Sequence, residues 1–579
     1  MFRTYLLSLL PVVFFAGAIG LANDANPENP SSSPGSISDQ TPPGAQAPLL
    51  VGITVHPREI STDSAEAQRY FDQGLNLTYA FNHDEAIRSF REAARHDPQC
   101  AMAWWGIALC NGPHINNPPM DKPHSIAAWQ ALEKAQANSK LGTPVERALI
   151  DALARRYRGN VDENIAERET LNKDYADAMQ RVHQQFPDDH DVAVLYAESL
   201  MNLRPWDLWS DEGEARPETH LVLQLLENVM TAVPNHPGAN HLYIHAVEAS
   251  PHPERATAAA DRLRTLMPGS GHMIHMPAHI DVRTGKWAQA AEQNEMSMKV
   301  DRVYRQVSPH QKFYSIYMIH NPHFLSFVCM MQGRQDRAIE AAQQMLASVP
   351  AEFLNQSPEL ADPFMSIQYQ VMVRFGQWDQ LLALPAPSDQ LPITTAMWRF
   401  ARATALAAKQ DFAAAEHEQT LFREAVAKVD RDAKGAINKA HDILKVGEHT
   451  LAGEIAFQKG DIDTAISELK KGVAAETDLI YMEPPEWIQP VRHSLGAVLV
   501  AAQRWDEAEQ VYREDLSLWP ENGWSLYGLS QCLKAKGDEA AAKEIEERFR
   551  VAWSDADIRI GATCLCVPDA KSGSQNVER

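Results

Sequence analysis

Tyr70 opens a unit whose small and aromatic residues return down the chain. Gly74 is followed twelve residues later by Ala86, then by Phe90, Ala93 and Pro98, and Trp104 stands 34 residues after Tyr70. With Ala86 as a marker, the same place is filled by Ala256, Ala290, Ala338, Ala415, Ala465 and Ala508. A glycine stands five residues before three of these markers, as Gly285, Gly333 and Gly460. A tight turn between two helices needs a left-handed residue at such a point. A late unit reads Gly496, Ala508, Tyr512 and Pro520, and Trp524, Gly528 and Ala540 begin another. One unit cannot bury its own apolar face, so units of this kind are stable only when stacked on neighbours. Helical patterns without these hallmarks fill residues 125–235, as in AWQALEKAQA and VAVLYAESLMNL, and strand signals are nearly absent throughout.

These spacings resemble the tetratricopeptide repeat (TPR) family, in which two antiparallel helices pack through small residues and a proline closes the unit. The resemblance implies an all-α fold, a right-handed superhelical α-solenoid of TPR-like helix pairs from about residue 60 to about residue 555. It also implies a concave groove, lined by first helices, that binds a peptide or protein partner. The expected divisions are an N-terminal helical region at 56–235, central repeats at 236–350, C-terminal repeats at 351–555 and a tail at 556–579.

Before the repeats, residues 1–22 carry Arg3, an apolar run from Tyr5 to Leu21 and small residues ending at Ala22, the pattern of a secretory signal peptide cleaved after Ala22. The run is short for a membrane span and is interrupted by Pro11, and no later stretch reaches span length. The expectation is a periplasmic or secreted protein, not an integral membrane protein after cleavage. Residues 23–55 are rich in Pro, Ser, Asn and Gly and read as a disordered linker. With 53 Lys and Arg against 76 Asp and Glu, the net charge of -23 speaks against nucleic acid as a partner. Six cysteines are too sparse for a disulfide scaffold and show no paired CxxC spacing. Cys100 with Cys110, Cys564 with Cys566, or single buried thiols fit equally.

Histidine is where the chain departs from a plain scaffold. Ten of its 22 histidines, at 236, 241, 245, 252, 272, 275, 279, 310, 320 and 323, fall within 88 residues, where an even spread would put about three. His241 and His275 each lie 15 residues before a marker alanine, His245 and His279 each lie 11 before one, and His323 and His320 lie 15 and 18 before Ala338. At 100° per residue, His241, His245 and Glu248 share one helical stripe, and His272, His275 and His279 share another. Adjacent packed helices are about 8–10 Å apart, a gap two imidazoles can close. Neutral imidazoles on rigid elements beside a carboxylate are what a transition metal needs, and Cu, Zn or Fe would each accept this set. The expected ligands are His241, His245, His272, His275 and His279, with His320 and His323 in or next to the coordination sphere. Glu248 is expected as a further ligand or as a general base toward metal-bound water.

Against that stands the plainer role of helical histidines in packing, expected for His236, His252 and His310 beside their prolines. No HExxH, GxGxxG, GxSxG or P-loop is present. Trp104, Trp105, Cys110 and His114, with Glu198, Asn202, Arg204, Trp206 and Trp209, read either as first-helix core or as a pocket in which Arg204 meets an anion. His493, again 15 residues before a marker, is an outlying candidate ligand. Two functional classes follow. One is a metal centre in the groove, acting on a small molecule by hydrolytic or oxidative chemistry, or storing the ion. The other is a non-catalytic scaffold whose histidines touch a partner protein.

Overall fold

The computed structural model describes residues 46–159, 165–210, 212–309 and 311–565. The signal segment, residues 23–45 of the expected linker, His310 and Cys566 therefore lie outside the described residues. Among those described, regular structure is helical, with β pairing confined to isolated bridges. No described helix is long and apolar enough to cross a membrane. The chain forms two compact units, one of residues 1–280 and 296–317 and one of residues 281–295 and 318–579.

In the first unit the helices are α1 Ala65–Tyr79, α2 His83–His96, α3 Ala101–Cys110, α4 Lys122–Asn138, α5 Pro144–Leu153, α6 Ile165–Gln185, α7 His190–Met201, α8 Thr219–Ala232, α9 Pro237–Val247, α10 Thr257–Leu266 and α11 Gly271–His275. Then α12 (Pro277–Arg283), α13 (Trp287–Val307) and α14 (Tyr314–Met331) each have residues in both units. Local rules start these helices. Ser64 accepts from the Ala67 amide at the head of α1, and Asn82 accepts from the Glu85 amide at the head of α2.

The repeat has a physical signature in both units. Phe90 packs where a Cβ on either Gly74 or Gly106 would stand, so α1, α2 and α3 close around one ring. In the second unit Tyr512 fills the same role between Gly496 and Gly528. The turn residue five before the marker is left-handed in eight turns: Gly285, Gly333, Gly376, Gly460 and Gly537, but also Phe81, Gln410 and Gln503. These turns correct two markers. Gly376 precedes a unit marked by Leu381, which a search for small residues misses, and Gly537 sets the last marker at Ala542 rather than Ala540. Ala256 is an exception, entered through Ser250, Pro251 and a short 3-10 turn, Pro253–Ala256.

The linker expectation is corrected over residues 46–55. Ala47, Leu49, Leu50 and Ile53 are buried. The strap they form runs along α1, whose side chains satisfy its backbone: Gln73 accepts from the Leu50 amide at 2.7 Å, and Asn76 accepts from the amides of Val55 and His56. Polar side chains of α1 thus replace the water that the composition argument assigned to this stretch. The start of the tail is also docked. In the second unit Asp557 accepts from the amides of Gln335 and Asp336 at the head of α15 (Gln335–Ser348), and Thr563 and Cys564 are buried. Cys100, Cys110 and Cys564 are free thiols.

Candidate metal centre

The site is assembled by close backbone packing. His236 caps α9, its Nδ1 accepting from the Ala239 amide, and Pro237 starts the helix at no loss of a hydrogen bond. A Cβ on Gly238 would run into the Tyr79 ring, so α9 lies hard against the end of α1. That contact brings His241 Nδ1 to 2.6 Å from the Tyr79 carbonyl. A carbonyl only accepts, so His241 carries its proton on Nδ1 and turns the Nε2 lone pair inward. One turn on, His245 Nδ1 lies 2.9 Å from Glu248 Oε1, which fixes the same tautomer, and its Nε2 is buried without a hydrogen-bond partner. From α11, His272 brings Nε2 to 3.1 Å from His241 Nε2. One ring nitrogen from each of His241, His245 and His272 lies within 4.8 Å of the others. Two nitrogens bound tetrahedrally to one ion at about 2.0–2.1 Å stand about 3.4 Å apart.

Pro277 ends α11 and opens α12, and His275 and His279 face each other across this break with their Nε2 atoms 2.9 Å apart. Glu248 Oε2 is 2.7 Å from His279 Nδ1. Glu248 thus has Oε1 hydrogen-bonded to His245 and Oε2 close to His279. His320 and His323 belong to the second unit, where their rings meet Phe324 and Phe364.

The groove expectation is corrected here. His245, the most open of His241, His245, Glu248, His272, His275 and His279, is only 7 % exposed. The stripe is buried, and aromatic residues remote in sequence pack on it. Phe81 stacks on His245 at 5.7 Å and packs on His241 at 4.5 Å, Trp206 meets His245 edge-on at 5.4 Å, and Tyr317 lies 4.2 Å from His272. Burial, and then the neighbouring imidazoles, push His241 and His272 well below the usual histidine range. Burial pushes Glu248 up, but His279 and His245 outweigh it and hold the carboxyl below its usual range.

Sequence reasoning missed Phe81, His83 and Tyr317, and it singled out His114 and Trp206 without joining them to the stripe. His83 and His114 pack ring to ring at 4.5 Å, and the His114 ring is 4.8 Å from Phe81. Burial and Arg156 push His83 down to about 4. Phe81 also lines a small cavity with Tyr79, His83, Arg156 and Glu198. Arg204, an anion partner in one of the two readings, lies near Asp207 and Glu218. His236 is packed as expected and, as the cap of α9, also meets Asp191, whereas His252 is exposed beside Glu254 rather than packed. His493 has both ring nitrogens engaged, by Arg374 and Asp515, and has none left for an ion.

No family model matches the chain, and no curated protein matches it. Solved structures with similar folds include the human IFIT1 dimer with m7Gppp-AAAA, at 11 % identity and a TM-score of 0.30 over 85 % of this chain and 91 % of that one. Yeast Tom70 follows at 13 % identity and 0.27 over 83 % and 92 %. The P58(IPK) TPR domain gives 10 % and 0.22 over 86 % and 100 %. Superpositions at these scores say nothing of a site. By its own turns, markers and packing, the chain is an all-α protein built of TPR-like helix pairs.

Proposed function

We propose that His241, His245 and His272 hold one transition-metal ion, Cu, Zn or Fe, inside an exported TPR-like protein. The observation that carries the reading is the tautomer lock: the Tyr79 carbonyl takes the Nδ1 proton of His241 and Glu248 takes that of His245. Both Nε2 lone pairs are left to converge with His272, and acceptors placed behind ligating imidazoles are how metal sites fix and strengthen their ligands. Three imidazoles leave a coordination position open, as a site that exchanges water or substrate requires. Burial argues against the scaffold reading in the form that has these histidines touch a protein partner. A partner-binding array would have to use other surfaces.

The test is thermal stability of chelator-treated protein with and without added metal. An ion at about 100 times its Kd stabilises by about 2.7 kcal/mol, or several degrees in a unit of this size. Wild type is expected to gain that shift and His241→Ala to gain distinctly less. An equal shift in both would assign the binding to surface groups and refute the reading.

A further inference from the structure

Resting on the metal reading above, we infer that the centre takes two ions, the second held by His275 and His279. The break between α11 and α12 is the first observation. In an unbroken helix, residues four apart run side by side, whereas Met276 ends α11 and Pro277 restarts the chain, so the two imidazoles turn tip to tip, Nε2 to Nε2 at 2.9 Å. The second is the carboxylate behind them. Glu248 Oε2 lies 2.7 Å from His279 Nδ1 while Oε1 is hydrogen-bonded to His245, so one buried carboxylate stands behind an imidazole of each group. His279 Nε2 is directed at His275.

The third observation is separation. The His245 and His279 rings are 6.3 Å apart, as are the His272 and His275 rings, so the pair forms its own focus beside the triad. Paired ions in enzymes stand about 3.5–4 Å apart, and neighbouring foci sharing one carboxylate suit such a pair. A pair of imidazoles fits a transition metal that prefers nitrogen donors, and copper is the probe of choice. The competing arrangement is a plain hydrogen bond from His275 to His279, which would hold no ion.

The experiment loads chelator-treated full-length protein with copper, removes excess through a competing chelator, and counts bound metal by elemental mass spectrometry. Paramagnetic resonance of the copper(II) form reports whether the ions lie close. Wild type is expected to hold two ions per chain with spin coupling between them. The double variant His275→Asn, His279→Asn, checked for retained helix by circular dichroism, should hold one uncoupled ion. A single ion in wild type, unchanged in the double variant, overturns the second site and leaves the His241, His245 and His272 centre standing. Two ions without coupling also overturn it. No retained metal in wild type overturns both.

Discussion

Glu248 and Phe81 show how single residues set this site. Glu248 is buried among imidazoles, with one oxygen hydrogen-bonded to His245 and the other 2.7 Å from His279. Glu248→Gln keeps the shape but gives one amide NH₂ where an acceptor is needed, so one imidazole must turn or change tautomer. Metal affinity is expected to fall about 10–100-fold, as for other orienting carboxylates, with the metal content restored at excess metal. Competition titration against a chromophoric chelator measures it, and unchanged affinity would mean that the carboxylate does not orient the ligands. Phe81 stands at φ 54 in a turn where five of eight equivalents are glycine. By the turn alone, Phe81→Gly should relieve about 1–2 kcal/mol of strain. Its ring, however, packs on His241, His245 and His114, and removing a buried phenyl costs about 3–5 kcal/mol. A net loss of about 1–4 kcal/mol is expected in urea unfolding, and a gain would show that the ring is not holding the site. The pattern of glycines pointed to this turn, but not to the aromatic residue that occupies it.

At the scale of the helix pair, the turn position separates backbone strain from packing. Gly460 has φ +83 and open space where a Cβ would stand, whereas Gly333 has φ +70 and a Cβ there would enter the Trp553 ring. Gly460→Ala is expected to cost about 1 kcal/mol, the left-handed penalty alone. Gly333→Ala should cost at least about 1–3 kcal/mol more, because it overpacks a filled contact. Melting temperatures of the two variants give the comparison, and equal losses would contradict it. These elements also show what was legible in the sequence. The alanine markers, the Gly turns and Phe90 against Gly74 could be read because small residues are required wherever helices touch. Leu381 could not, since that contact tolerates a larger side chain, and neither could the strap at residues 46–55, whose order comes from Gln73 and Asn76 on α1 rather than from its own composition.

Across the first unit as a whole, burial ties stability to pH. Burial and Arg156 hold His83 at about 4, against about 6.5 in an unfolded chain. Between those values the unfolded state binds more protons than the folded one, so stability falls as pH drops from about 6.5 to about 4. Down to pH 5 His83 alone accounts for a loss of about 2 kcal/mol, and His114, His241 and His272, also lowered by burial, act in the same direction. Urea unfolding of metal-free protein at pH 7.5 and pH 5 should show this loss, and equal stability at both would contradict the burial. The sequence revealed which histidines share a helical face but not how deep that face lies. The ring stack over it comes from residue 81 and from residues 206 and 317, far apart in the chain. The most direct test of the central claim is X-ray absorption on the metal-loaded protein, which counts imidazole nitrogens around the ion. Wild type should show histidine scattering at about 2.0–2.1 Å, with one imidazole fewer around the ion in His272→Ala. A spectrum of oxygen donors only, unchanged in that variant, would contradict the account.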